Sequence, residues 1–191
     1  MPNDESSAQL ICHPATPAPA VRAIETRVAF REDGVLIIDY RLWGDMARVL
    51  VPQPRPKGQA DLLWEHTCFE AFIGTPVDKT YREFNFSPSG QWAAYAFSDY
   101  RQRVSDFALG TAPQITTRLS LGRLELHAIL APEALPDGGA TLQIGLSAVI
   151  EGTDLVDGSH SYWALHHSTE RPDFHHRAGF TLRLTDPRNL A

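Results

Sequence analysis

Hydrophobic and polar residues alternate singly along much of the chain, and prolines and glycines interrupt the alternation at short intervals. Residues two apart share a face of a strand, so this period predicts β-structure; the three-to-four spacing of an amphipathic helix is scarce. VRAIETRVAF (Val21–Phe30) alternates, Glu32-Asp33-Gly34 turns the chain, and residues 35–42 (VLIIDYRL) return as a partner strand. Pro52, Pro54 and Pro56 stiffen an extended loop. Further strands are predicted over 64–73, 81–87 and GQWAAYAF, then over 114–119, 124–130, 140–151, 161–165 and 180–184. Helix is expected only as short turns around 132–135 and 99–107. About ten or eleven strands with turns this frequent predict an all-β, single-domain β-sandwich of two antiparallel sheets, jelly-roll-like. Its core should span about 8–186, with a flexible N-terminal arm and a local extended stretch at Pro14–Pro19.

At 191 residues one domain can bury a core without disulfide or metal staples. Seventeen basic against 23 acidic residues give a net charge of −6, with no basic run. Nucleic acids and anionic membranes need clustered Lys or Arg, so neither is an expected partner. Cys12 and Cys68 lie in separate hydrophobic segments and read as two reduced, partly buried thiols. The N-terminus lacks a basic n-region and a long apolar stretch, and no run approaches the roughly 18 apolar residues of a membrane span. The expected setting is cytoplasmic.

Candidate chemistry concentrates in residues 63–97. On the predicted strand 81–87, Phe84 and Phe86 share one face, and Tyr81, Glu83, Asn85 and Ser87 share the other. On 64–73, Phe69, Ala71 and Ile73 form the apolar set, opposite Trp64, His66, Cys68 and Glu70. If these strands are neighbours, Glu70, Glu83 and Asn85 meet on one outer face with Trp64 at its edge. Two carboxylates so placed repel unless a cation or a hydroxylated ligand lies between them, and Arg101 or Arg103 could fold over the site. Carboxylates and amides hydrogen-bond vicinal hydroxyls while an indole covers a sugar ring, so a saccharide suits the face. The plainer alternative makes Glu70 and Glu83 solvated residues paired with Arg82 or Lys79. Trp92 and Trp43 read as structural, and no set of nucleophile, base and orienting partner stands out.

Five of the eight histidines fall between His160 and His176. Adjacent histidines on a strand point to opposite faces, so His166-His167 and His175-His176 offer one metal ligand per pair. His166, Asp173 and His175 are the metal candidates; Asp154, Asp157 and Asp173 could hold a structural calcium. The simpler expectation is that these histidines cap turns and bond backbone around Pro172-Asp173.

With these residues in hand, the chain resembles DOMON-like proteins, and within them the bacterial single-domain group related to family 9 carbohydrate-binding modules. LWEHTCFEAFI, YREFNFSPSGQWAAYAF and YWALHH…RPDFHHRAGF carry the resemblance, in that order, across about 11–184. It implies two antiparallel sheets with a ligand site on a concave face. It also implies a Trp six positions before an acidic residue, matched by Trp64 and Glu70. A polar pair two apart follows on the next strand, where this chain has Glu83 and Asn85; the first of the pair is basic in the relatives, so Glu83 departs from the pattern. A second aromatic wall on a late strand is matched by Trp163. Other DOMON relatives bind haem through Met and His, for which Met46 with His66 or a histidine of 166–176 would serve.

The expected function is a non-catalytic domain that binds a small molecule, a saccharide or similar polyhydroxylated ligand, through Trp64, Glu70, Glu83, Asn85, Trp163 and Arg101. No cofactor is required, with calcium and, less readily, haem as options. The alternatives are a haem- or metal-binding electron-transfer or sensing domain, and a glycoside hydrolase using Glu70 and Glu83, whose carboxyls would need to lie about 5 to 9.5 Å apart. Against the last, a sheet face is expected to be too shallow to raise a Glu pKa.

Overall fold

A computed structural model describes residues 5–137, 141–153 and 159–189. Among them there is no α-helix, and therefore no helix long and apolar enough to cross a membrane. In the described residues thirteen strands run in chain order: β1 (Glu5–Cys12), β2 (Val21–Phe30), β3 (Leu36–Gly44), β4 (Gly58–Gln59), β5 (Cys68–Gly74), β6 (Tyr81–Phe86), β7 (Gln91–Asp99), β8 (Gln102–Arg103), β9 (Gln114–Ser120), β10 (Arg123–Leu130), β11 (Thr141–Glu151), β12 (His160–Ala164) and β13 (Leu182–Thr185). The all-β expectation holds. Residues 99–107 form no helical turn; instead β8 folds back on β7.

Hydrogen bonds link the strands in the order β4-β7-β6-β5-β11-β12-β1-β2-β3-β10-β9, with β13 also on β11 and β8 also on β7. The halves are thus joined in one path, and β1 is the joint. Ser6 to Leu10 face β2, while Ile11 and Cys12 pair with Ala164 and Trp163 of β12. This stretch was expected to begin as a flexible arm. Burial alternates along it, with Leu10 in the main core and Cys12 packed against that core, while backbone pairing ties its first part to β2 and its end to β12.

The path curls so that its two ends share one core. Ile38, Tyr40 and Leu42 of β3 and Leu124, Leu126 and Ala128 of β10 join Phe69, Phe84, Phe86, Ile144 and Leu146 in one buried cluster. The Tyr40 and Phe69 rings lie 5.0 Å apart, and the Tyr40 hydroxyl donates to the Glu70 carbonyl at 2.7 Å. Burial of each large side chain supplies about 1.5–3 kcal/mol, which is why the alternating residues of β2, β3 and β10 face inward. At Gly44 a Cβ would stand 2.3 Å from the Ala20 carbonyl, and β2 bulges opposite, between Val21 and Ala23.

β5 is buried along its whole length, and β11 nearly so, because both of their faces are covered. Leu63, Cys68, Phe72, Tyr81, Ala93, Tyr95, Phe97 and Phe180 form a second apolar cluster on the far face from the main core. The candidate residues stand among them. Cys12 and Cys68 are both free thiols, partly and fully buried respectively.

Candidate functional site

Strand register brings the expected polar residues together. Glu70 lies opposite Asn85 of β6 on one side and Ser147 of β11 on the other. Glu83 lies opposite Phe72 and Tyr95. Glu70 and Glu83 are therefore diagonal neighbours on one face. The Asn85 amide donates to Glu83 Oε1 at 2.7 Å. Asn85 is wholly buried and supports Glu83 from below rather than facing a ligand.

Above this floor is an open cavity of about 450 Å³, lined by Trp64, Glu70, Glu83, Arg101 and Arg103 together with five further aromatic side chains and His175. On one side are Trp64 and Tyr95, edge to face at 6.0 Å, and on the other Tyr162 and Phe174, also 6.0 Å apart. Phe72 and Phe97 complete the aromatic lining, with His175 between them and the rim. Trp64 is not on a strand. A 3-10 turn, Leu63–Glu65, holds it 36% exposed ahead of β5.

The plainer alternative for the two glutamates fails on burial: Glu70 is 3% exposed and Glu83 6%. Lys79 pairs with Asp99, while Arg82 leaves this face to bond the Glu133 carbonyl. The expected shallow setting is likewise corrected. Burial holds the Glu70 carboxyl well above the usual carboxylate range, neighbouring Glu83 adds to this, and the Ser147 hydroxyl opposes it. Burial also raises Glu83, and Asn85, Arg103 and Arg101 draw it back, leaving it at about 7. Glu83 has the cations near it and Glu70 has none, so the pair's more firmly held proton stays on Glu70. Below neutral pH the floor is two carboxylic acids, each able to donate a hydrogen bond.

A relay of side chains links floor to rim. The Arg101 backbone N–H donates to the Tyr81 hydroxyl at 3.1 Å, and that hydroxyl bonds His175 Nδ1 at 2.9 Å. His175 Nε2 lies 3.7 Å from Glu83. Burial, with Arg101 nearby, lowers His175 to about 4 despite Asp173, so the ring is neutral. Arg101 Nη2 meets Asp173 at 2.9 Å, and Asp173 also accepts from the Tyr100 hydroxyl. Two non-glycine residues among those described have left-handed backbone, Leu62 (φ 60°) and Arg101 (φ 55°). One stands two residues before Trp64 and the other is at the rim. Such strain of about 1 kcal/mol or more persists where surrounding structure fixes a side chain.

Of the six expected ligand residues, Trp64, Glu70, Glu83 and Arg101 line the cavity, and Asn85 underlies it. Trp163 is a correction. It belongs to the main core, its indole N–H bonded to Ser161 Oγ at 3.0 Å, because β12 turns that side chain inward. The next residue along the strand, Tyr162, supplies the wall instead. Alternation in GQWAAYAF also separates Trp92, on the core side, from Tyr95 and Phe97, on the cavity side; Phe72 follows Glu70 by two. Those three were readable by period. Phe174, in the loop RPDFHH, had no such signal.

The metal candidates do not converge. Asp173 and His175 are engaged as above, and among the described residues no group of three or more His, Cys, Asp and Glu is placed to hold a metal. Asp154 and Asp157 lie outside the described residues. Met46 packs on the main core and His66 bonds Glu151, so neither reaches the cavity. His176 caps the turn Arg177–Gly179 and His167 and His160 bond backbone carbonyls, but those of Ile11 and Glu65 rather than any around Pro172-Asp173 as expected.

Neither protein-family models nor curated protein sequences match the chain. Solved structures do. A Bacteroides uniformis protein named as a "putative carbohydrate-binding protein" superposes with a TM-score of 0.64 at 18% identity, over 91% of this chain and 83% of its own. A family 9 carbohydrate-binding module from Caldicellulosiruptor kristjanssonii, in complexes with glucose and with cellotriose, superposes at 0.46 and 10% identity, over 77% and 82% of this chain and 68% and 76% of its own. The first likeness establishes a shared fold.

Proposed function

We propose that this chain is a non-catalytic saccharide-binding domain whose site is the cavity over Glu70 and Glu83. One observation carries the reading. Two aromatic pairs, Trp64 with Tyr95 and Tyr162 with Phe174, line an open cavity floored by two buried carboxyls. Aromatic walls cover the apolar faces of a pyranose ring, and the floor groups meet its hydroxyls. The fold shared with a protein named for carbohydrate binding supports the reading. On this view the curled sheet is a two-layered DOMON-like sandwich, its layers joined through β1, and the protein works in the cytoplasm.

Trp64→Ala tests it. A panel of mono- and oligosaccharides should change the intrinsic fluorescence of the wild type and not that of the variant, with both giving the same circular dichroism. No change from any saccharide in the wild type refutes the reading. A second reading, hydrolysis by the Glu70 and Glu83 pair, draws on the raised Glu83. Release of reducing sugar by the wild type, abolished in Glu83→Gln, would carry it instead.

A further inference from the structure

The rim of the cavity carries a cation that the protein does not neutralise. β8 is only two residues long, and its Arg103 lays its guanidinium over the Tyr95 ring, 3.8 Å from the centroid. Among the described residues Arg103 makes no ion pair with a carboxylate, although the chain as a whole is acidic. A guanidinium stacked flat on an aromatic face keeps its N–H edge free, the edge that grips a carboxylate or phosphate in bidentate fashion.

Beside it, Arg101 is fixed by Asp173 and by Tyr100, whose hydroxyl accepts from Nε at 3.3 Å. Arg101 has left-handed backbone in this arrangement, a conformation a non-glycine residue adopts at a cost. Both guanidinium groups line the same cavity, and both act electrostatically on Glu83. Burial holds Glu70 well above the usual carboxylate range, so Glu83, at about 7, is the floor group whose charge offsets them as it ionises. What the cavity offers a ligand is an aromatic lining, two buried carboxyl groups beneath it, and at the mouth Arg103 beside the Arg101–Asp173 ion pair. A neutral sugar leaves Arg103 unused.

Resting on the saccharide reading above, we propose that the ligand is an acidic saccharide, its carboxylate or phosphate received by Arg103 with Arg101 beside it while its ring lies between the aromatic walls. The two anionic groups share this chemistry, and the test separates them.

Calorimetric titration of the full chain with glucose, glucuronate, glucose 6-phosphate and inorganic phosphate, each with wild type and Arg103→Gln, decides the matter. A charge-assisted hydrogen bond to Arg103 predicts that at least one acidic sugar binds about tenfold more tightly than glucose. That preference should vanish in Arg103→Gln and should shrink at 0.5 M salt. Whichever acidic sugar is preferred identifies the carboxylate or the phosphate. Glucose binding as tightly as both acidic sugars overturns the proposal and leaves the saccharide site standing. So does a preference untouched by Arg103→Gln, or glucose 6-phosphate binding no better than inorganic phosphate. Heat from none of the sugars overturns the saccharide reading itself, and this proposal with it.

Discussion

Replacing Glu83 by Gln should make the protein more stable, and by an amount that depends on pH. Gln keeps the carbonyl oxygen that accepts from the Asn85 amide at 2.7 Å, so the local packing is retained. What it removes is an ionisable group that is 6% exposed and raised from 4.5 to about 7 in the folded chain. The unfolded chain gives up this proton near 4.5 and the folded chain holds it to about 7. Between those values the folded state binds more protons, so wild-type stability is greatest below 4.5, falls as pH rises to about 7, and is level above. A tenfold change in proton affinity is worth about 1.4 kcal/mol, so the group should cost about 3 kcal/mol at pH 8 relative to pH 4. Urea denaturation of both proteins at pH 5 and pH 8 measures it together with its coupling to Glu70, since titrating groups that do not interact with Glu83 cancel in the difference. The advantage of Glu83→Gln should grow by about 2.5 kcal/mol between those pH values. An advantage that is the same at both would mean Glu83 is not a buried, protonated acid, and the description of the cavity floor would fail.

Two further outcomes test the frame beneath the site. Tyr40→Phe removes the hydrogen bond from β3 to the Glu70 carbonyl while preserving the ring contact with Phe69, and should lower the urea-derived stability by about 1 kcal/mol. Gly44→Ala brings a methyl against the Ala20 carbonyl, a backbone atom that cannot swing away, and should cost about 2 kcal/mol or more in the same assay.

The strand pattern was legible where one face is buried and the other wet. Residues 21–30 were bounded as observed, and the neighbouring alternations in 35–42 and 124–130 fell within a residue or two of β3 and β10. The same alternation placed Glu70, Glu83 and Asn85 on one face, because β5 and β6 are regular and adjacent. Two things were hidden. β1 turns Ala8, Leu10 and Cys12 inward, but that alternation in ESSAQLIC is short and the exposed Ile11 interrupts it. The depth of the site comes from a second apolar cluster assembled from distant segments, so residues that read as solvent-facing acids are enclosed. Trp163 misled because one aromatic was matched by kind alone; its strand turns it inward and offers Tyr162 in its place. Arg103 was named only as a group that could fold over the site. Its stacking on Tyr95 depends on the two-residue return of β8, in a stretch whose pattern suggested a helical turn.

The most direct test of the central claim is a crystal structure of the protein with whichever saccharide gives the strongest calorimetric signal. The account predicts a sugar ring between the Trp64–Tyr95 and Tyr162–Phe174 walls, its hydroxyls within hydrogen-bond reach of Glu83 or Glu70. A ring bound elsewhere on the sheet, with this cavity holding only solvent, would contradict it.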